Sequence, residues 1–141
     1  MRKRRNKINK KKIGNSVEKI TRTYLASLGF WAHLLVDNAN GQPFDIVAIK
    51  GDHTLCVDAK NLKDNIRSFT FARIETNQWN SMSSLKEISS AICGFAIYHC
   101  GVIYFASFEQ IKACLERGEK SIPIPSMPTL KRYLENVYAS K

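Results

Sequence analysis

Two acids and a lysine occupy the ends of two short apolar runs in residues 42–61, QPFDIVAIKGDHTLCVDAKN. Asp45 opens the first run, and Asp58 and Lys60 close the second. Side chains alternate between the two faces of a strand, so Asp58 and Lys60 share a face, and a neighbouring strand can bring Asp45 beside them. Two carboxylates suit a hard cation such as Mg²⁺, and a nearby ammonium can position or deprotonate an attacking water. The pattern therefore indicates metal-assisted hydrolysis of a phosphodiester.

A half-exposed structural strand is the alternative explanation, because Asp and Lys alternating with Val and Ala is also its ordinary pattern. Three features favour chemistry. Asp45 follows Pro43 at a strand start, the spacing from Asp45 to Asp58 spans one hairpin, and Glu18 stands on a preceding helix. A motif this short also occurs by chance, so the elements around it have to decide between the two explanations.

Hydrophobic spacing and turn residues predict the elements that would position these side chains. A first helix ends near Gly29, strands follow at 30–36, 44–50 and 54–61, and a helix covers 71–86. A hairpin of two strands at 91–99 and 101–107 leads to helices at 108–117 and 129–138. This order predicts the mixed α/β class, with a central sheet flanked by helices. We expect a disordered basic tail at 1–13 and a single domain at 14–141.

The chain around the acids resembles the PD-(D/E)xK nuclease superfamily, with residues 43–45 (PFD) and 58–60 (DAK) as the two parts of its motif. Residues 68–82, SFTFARIETNQWNSM, resemble the segment after the catalytic strand in RecU-type Holliday-junction resolvases. The positions that carry this likeness are Ser68, Phe69, Gln78 and Met82. The first helix, with Glu18, and the closing KSIP segment at 120–123 are also similar. The resemblance covers residues 14–123 and implies a restriction-endonuclease-like fold.

The resemblance also implies an activity, that of a Mg²⁺-dependent, structure-selective DNA endonuclease. It points to a Holliday-junction resolvase that makes paired nicks in four-way junctions during recombination and repair, working as a homodimer. Mn²⁺ is expected to substitute for Mg²⁺, and no small-molecule cofactor is implied. Asp45 and Asp58 would ligate the metal, and Lys60 would act on the attacking water. Glu18 would supply a further catalytic and metal contact, and Gln78 would orient water or phosphate.

Two departures from the family pattern keep other functions open. Asp58 stands where the family usually has Glu, and its shorter side chain would change the position of the metal. Family members also carry a long projection before the first catalytic Asp, whereas this chain has only residues 33–43, HLLVDNANGQP. One alternative is another nuclease of the superfamily acting on duplex or flap DNA. The other is a non-catalytic basic DNA-binding module.

The positive charge of the chain is concentrated at its start. The net charge is +10, and eight of the 22 basic residues lie in the first twelve positions, without an acid among them. Such a run suits a polyanion, because each neutralised phosphate releases a counterion; a solubilising or targeting tail is the alternative. Solvated surface is the alternative for the basic residues at 63, 67 and 73. The predicted DNA contacts are Arg2, Lys3, Arg4, Arg5, Lys7, Lys10, Lys11, Lys12, Lys63, Arg67 and Arg73.

The four cysteines show no metal-ligand spacing, and no secretory apolar region follows the basic start. The uncharged stretch from Ile88 to Phe108 has a turn-like YHCG centre, so a hairpin is predicted there instead of a membrane span. Together these features predict a cytoplasmic protein, either associated with a nucleoid or in the host cytoplasm of a virus, without membrane contact.

Overall fold

The computed structural model describes residues 16–35 and 43–139 of the 141-residue chain. The predicted basic tail therefore lies outside the described residues. In chain order the elements are α1 (16–27), β1 (Trp31–Leu34), β2 (Ile46–Lys50), β3 (His53–Asn61), β4 (Ser68–Thr70), α2 (Thr76–Ile88), β5 (Ile92–His99), β6 (Val102–Ser107), α3 (Phe108–Glu116), β7 (Ser121–Pro123) and α4 (Leu130–Ala139). Single 3₁₀ turns lie at Phe71–Arg73 and Ile124–Ser126.

The main sheet of the described residues has five strands in the order β1-β2-β3-β5-β6. The β3–β5 pair is parallel, and the other three neighbouring pairs are antiparallel. A parallel pair needs a long crossover, and here the crossover from β3 to β5 carries β4 and α2. The predicted mixed α/β class with a central sheet and flanking helices is confirmed.

Two apolar layers hold the helices onto the sheet, one on each face. On one face, Met82 of α2 and Ile111 of α3 pack against Cys93 and Phe95 of β5. On the other face, Leu25 of α1 and Leu130 of α4 belong to a second cluster built on β2, β3, β5 and β6. The central strands are buried on both faces, which explains why β5 reads as a continuous apolar run without alternation.

The end of α1 is set by Gly29, as the sequence predicted. Gly29 has a φ of 93°, a backbone conformation that other residues adopt only with strain. The N–H of Phe30 donates to the carbonyl of Leu25 at 3.1 Å, and the N–H of Gly29 donates to that of Ala26 at 3.0 Å. These two bonds form the Schellman arrangement, which satisfies carbonyls at the end of the helix and turns the chain into β1.

The uncharged stretch before α3 is the β5–β6 hairpin, as predicted. His99 pairs with Val102 across a two-residue turn in which Cys100 and Gly101 have φ of 49° and 79°. Positive φ at both central residues is the pattern of a type I′ turn, whose twist matches that of antiparallel strands. Within the described residues, no helix is long and apolar enough to cross a membrane.

The segment between β3 and α2 differs from the prediction. The helix was expected at 71–86, but Ser68–Thr70 forms a strand that pairs with Ser121–Pro123, and α2 begins only at Thr76. The start at Thr76 follows from a capping arrangement, in which the N–H of Glu75 donates to Oε1 of Gln78 at 3.3 Å. No local pattern predicts β4, because its partner strand lies about fifty residues further along the chain.

Candidate active site

The β2–β3 hairpin brings Asp45 directly beside Asp58. Ile46 pairs with Val57, so the same antiparallel register places position 45 opposite position 58. The N–H of Asp45 donates to the carbonyl of Val57 at 3.0 Å, and Oδ2 of Asp45 accepts the N–H of Ala59 at 3.0 Å. The carboxylate of Asp45 thus replaces a backbone acceptor of the ladder and is held against β3 at the point where β2 begins.

Asp58 lies at the centre of the cluster and is almost completely buried, with 2% of its side chain exposed. Its Oδ1 accepts a hydrogen bond from Nε2 of Gln78 at 3.0 Å. Its Oδ2 lies 3.0 Å from Nζ of Lys60, on the same face of β3, but takes part in no hydrogen bond of acceptable geometry among the described residues. A buried carboxylate oxygen with unused acceptor capacity is costly, and it is available to a cation or a water molecule.

Gln78 joins α2 to the acids through both ends of its amide. The carbonyl oxygen accepts from the N–H of Glu75 at the start of α2, and the NH₂ group donates to Asp58. The side chain is 6% exposed. Because Gln78 is fixed at both ends, it can hold the carboxylate of Asp58 in a single orientation.

The electrostatics of the pair are unfavourable without a counter-ion. The pKa of Asp45 is raised from 3.8 to about 8, first by burial and then by the adjacent carboxyl group of Asp58 and its negative charge. Glu18 raises this pKa further, and the hydrogen bond from the N–H of Ala59 opposes the rise. Two acids held together in a buried site favour either a shared proton or a bound cation.

The donor set fits Mg²⁺, which binds protein through one or two carboxylates and keeps several waters. Asp45 and Asp58 supply such a pair, and Oδ2 of Asp58, which is ion-paired with Lys60 but takes part in no hydrogen bond among the described residues, has acceptor capacity left for a cation. Within residues 16–35 and 43–139, no group of three or more His, Cys, Asp or Glu side chains has the arrangement of a metal site. The negative charge of Glu18 raises the pKa of Asp45. The role of Glu18 as a metal ligand stays a prediction.

The predicted DNA-binding residues differ in their relation to the acids. Arg73 donates from Nη1 to the carbonyl of Asn61 at 2.8 Å, at the end of β3, and its guanidinium is close enough to interact with the charge of Asp58. Lys63 and Arg67 are exposed in the loop after β3. The other predicted contacts, all in the basic tail, lie outside the described residues.

Among solved structures, this chain is similar to Hjc of Archaeoglobus fulgidus, a Holliday junction resolvase from an archaeal hyperthermophile. The two chains are 21% identical and have a TM-score of 0.63, and the match covers 85% of this chain and 98% of Hjc. The chain has the Hjc fold. No protein-family model matches the chain, and no curated protein matches its sequence.

The Hjc fold agrees with the predicted fold class, whereas the relationship to RecU-type resolvases in particular stays a prediction. At 21% identity the likeness shows the architecture alone, so the roles of the site residues depend on their own geometry. The structure brings Asp45, Asp58, Lys60 and Gln78 into one cluster, with Glu18 and Arg73 interacting electrostatically with its acids.

Two aromatic residues beside this site were not assigned a function from the sequence. Trp31 and His33 of β1 stack on each other, with ring centroids 5.7 Å apart and an angle of 5° between the ring planes. Trp79 stacks on Phe108 of α3 at 4.4 Å, which is an intramolecular packing contact. The available signal for the first pair was the spacing W-x-H, which puts both rings on one face of a strand.

Proposed function

We propose that this protein is a Mg²⁺-dependent, structure-selective DNA endonuclease that resolves Holliday junctions as a homodimer. The observation that carries the proposal is the Asp45–Asp58 pair, in which Asp58 is buried and Asp45 partly buried, with Lys60 3.0 Å from Asp58, placed where β2 begins and β3 ends. This arrangement combines a cation site with an ammonium group, the two components that phosphodiester hydrolysis requires.

Each side chain of the cluster has a separate task in this mechanism. Asp45 and Asp58 would hold Mg²⁺, which when bound supplies positive charge beside the scissile phosphate. Lys60, whose Nζ is oriented by Asp58, holds the attacking water and offsets charge that develops on the phosphate oxygens. Gln78 keeps Asp58 in place, and its anchoring at the start of α2 prevents the carboxylate from rotating.

Two features support DNA as the substrate and a branched structure as its form, and one requirement of that substrate supports the homodimer. The net charge of +10 favours a polyanion. The fold is shared with a protein that is a Holliday junction resolvase. Resolution of a four-way junction requires two symmetric cuts, and a two-fold homodimer provides two identical sites for them.

Cleavage of labelled DNA tests the proposal. We expect the wild-type protein to nick four-way junctions in Mg²⁺ and to be inactive in EDTA. Asp45→Asn and Lys60→Ala should lower the rate at least about 100-fold, the usual effect of removing a charge-stabilising or proton-handling group. Asp52→Asn is the matched control, because it removes an exposed acid from the turn of the same hairpin, and it should cut at the wild-type rate.

The choice of substrates separates this function from its alternatives. Junctions, flaps and linear duplexes of the same sequence are compared at equal concentration, and the proposal requires junctions to be cut fastest. Faster cutting of flaps or duplex would indicate another nuclease of this fold. Binding of junctions without Mg²⁺-dependent cleavage under any condition would indicate a DNA-binding module and would overturn the proposal.

A further inference from the structure

The edge strand β1 carries an exposed aromatic pair. Trp31 is 60% exposed, although Trp is usually well buried in folded proteins. Its ring lies parallel to that of His33, and its register partner Ile49 on β2 is also exposed, at 42%. The three side chains lie on one face of the sheet, and we call them the Trp31 platform. Exposed aromatic and aliphatic side chains that are grouped on one face are typical of interaction sites.

The Trp31 platform lies on the same face of the sheet as the two acids. Position 45 is opposite 58, Val47 is opposite both His33 and Cys56, and Trp31 is opposite Ile49. Side chains two residues apart on a strand share a face and lie about 7 Å apart. Counted along the strand direction, His33 therefore lies one such step from the level of Asp45 and Asp58. Trp31 lies two steps, about 14 Å, from that level.

We propose that the Trp31 platform binds an unpaired base of the DNA strand that is cut, within a few nucleotides of the scissile phosphate. This inference rests on the proposed function, since it assigns a substrate feature to the same site. A base has a flat apolar surface that can continue the stack already formed by Trp31 and His33. Stacking on an aromatic side chain strengthens binding by about 5- to 150-fold per base and tolerates any sequence.

An unpaired base fits the platform better than a paired one. Bases in an intact duplex are stacked on their neighbours and present only their edges in the grooves. A base at a branch point or a frayed end has lost a stacking neighbour and its pair opens more easily, so less energy has to be given up when it leaves its pair and moves onto Trp31. The platform would therefore favour branched DNA over duplex without reading sequence.

The test uses Trp31 as its own reporter. The chain has two tryptophans, and Trp79→Phe removes the other one while keeping a ring against Phe108. In this variant, in EDTA to prevent cleavage, we expect single-stranded oligonucleotides and four-way junctions to quench Trp31 fluorescence. A blunt duplex of the same sequence, with closed ends, should quench it much less at equal phosphate concentration.

Affinity measurements with substituted platforms provide the second readout. Trp31→Ala should weaken binding of junctions and single strands by about 5-fold or more, and leave binding of the closed duplex unchanged. Trp31→Phe retains a ring and should restore most of the affinity. Ile88→Ala is the matched control, because Ile88 is 82% exposed at the end of α2. It should leave the affinities for junctions, single strands and the closed duplex unchanged.

The outcomes distinguish this inference from the proposed function. If junctions are cut but Trp31→Ala binds and cuts them like the wild type, the inference fails and the function stands. If Trp31 is quenched by unpaired bases but no DNA is cut in Mg²⁺, the function fails and the base site stands. Equal quenching by the closed duplex would overturn the inference. So would concentration-dependent dimerisation that Trp31→Ala abolishes, because the platform would then be covered by a second copy.

Discussion

At the scale of single residues, the site is defined by a charge conflict. Two carboxylates share a buried position, and the ammonium of Lys60 contacts only one oxygen of Asp58. The conflict appears in the raised pKa of Asp45, to about 8, caused first by burial and then by Asp58. Such perturbed acids are typical of functional sites, because a structural role alone would favour a less costly arrangement.

The stability of the metal-free protein should depend on Asp45 between pH 4 and 8. The pKa of Asp45 is 3.8 as an ordinary carboxyl and about 8 in the folded chain, so the folded state holds its proton more tightly than the unfolded state. The resulting stability is fully present below pH 4 and is lost as the pH rises through 8. We expect a loss on the order of 3 kcal/mol, allowing for screening of this partly exposed group.

Asp45→Asn removes this dependence, and its amide oxygen can still accept the N–H of Ala59. Thermal unfolding in EDTA is measured for both proteins from pH 4 to pH 9. The variant should be the more stable protein at pH 8, and the difference should vanish near pH 4. Addition of Mg²⁺ at pH 8 should raise the Tm of the wild type alone. If the difference in Tm between the two proteins is the same at every pH from 4 to 9, the raised pKa of Asp45 is contradicted.

At the scale of elements, the site depends on how closely the strands behind it pack. Asp58 of β3 is the register partner of Phe95 on β5, and β5 in turn pairs with β6. Gly94 allows the β5–β6 approach, since a Cβ atom there would lie 2.5 Å from the carbonyl oxygen of Ala106 and 2.6 Å from Cζ of Phe105. The absence of a side chain at Gly94 therefore allows β6 to lie this close to β5.

Gly94→Ala should destabilise the protein by about 1–3 kcal/mol, because a backbone carbonyl cannot move away without shifting β6. Denaturant unfolding monitored by circular dichroism measures the change as a lower midpoint at an unchanged m-value. Ser90→Ala, an exposed change in the loop just before β5, is the control and should have little effect. An unchanged midpoint for Gly94→Ala would show that the strands have room for a side chain.

At the scale of the whole molecule, charge is divided between two parts of the chain. Eight basic residues lie in positions 1–12, and the other 129 residues carry 14 basic and 12 acidic groups. The rest of the chain is therefore nearly neutral, and under the proposed function long-range attraction to DNA should come mainly from residues 1–12. Such attraction is electrostatic and depends strongly on salt.

Deletion of residues 1–12 should weaken junction binding and flatten its dependence on salt. Each phosphate contact contributes about 0.9 to the slope of log K against log salt, so eight contacts would contribute up to about 7. A matched control replaces the eight basic residues with Gln and keeps the length of the chain, and it should behave like the deletion. If the wild type, the deletion and the Gln variant have the same junction affinity and the same salt dependence, residues 1–12 do not contribute to DNA binding.

Much of the fold could be predicted from local patterns in the sequence. Three features depend only on residues within a few positions of one another. They are the Schellman turn at Gly29, the turn at Cys100 and Gly101, and the N-cap of α3 at Ser107. Local signals of this kind act in the same way in any context. The strand β4 and the later start of α2 were not predicted, because β4 exists only through its pairing with the distant Ser121–Pro123.

The sequence alone determined which side chains could form a metal and phosphate site, since strand periodicity puts Asp58 and Lys60 on one face and a tight hairpin turn at Gly51 can bring Asp45 beside them. Only the tertiary structure decided how these groups are held. The hydrogen bond from Gln78 to Asp58 requires α2 to lie beside β3. The unsatisfied oxygen of Asp58 and the burial that raises the pKa of Asp45 depend on how the elements pack around the two acids. The physical reason is that burial and contact between elements far apart in the chain are properties of packing, which no local pattern encodes.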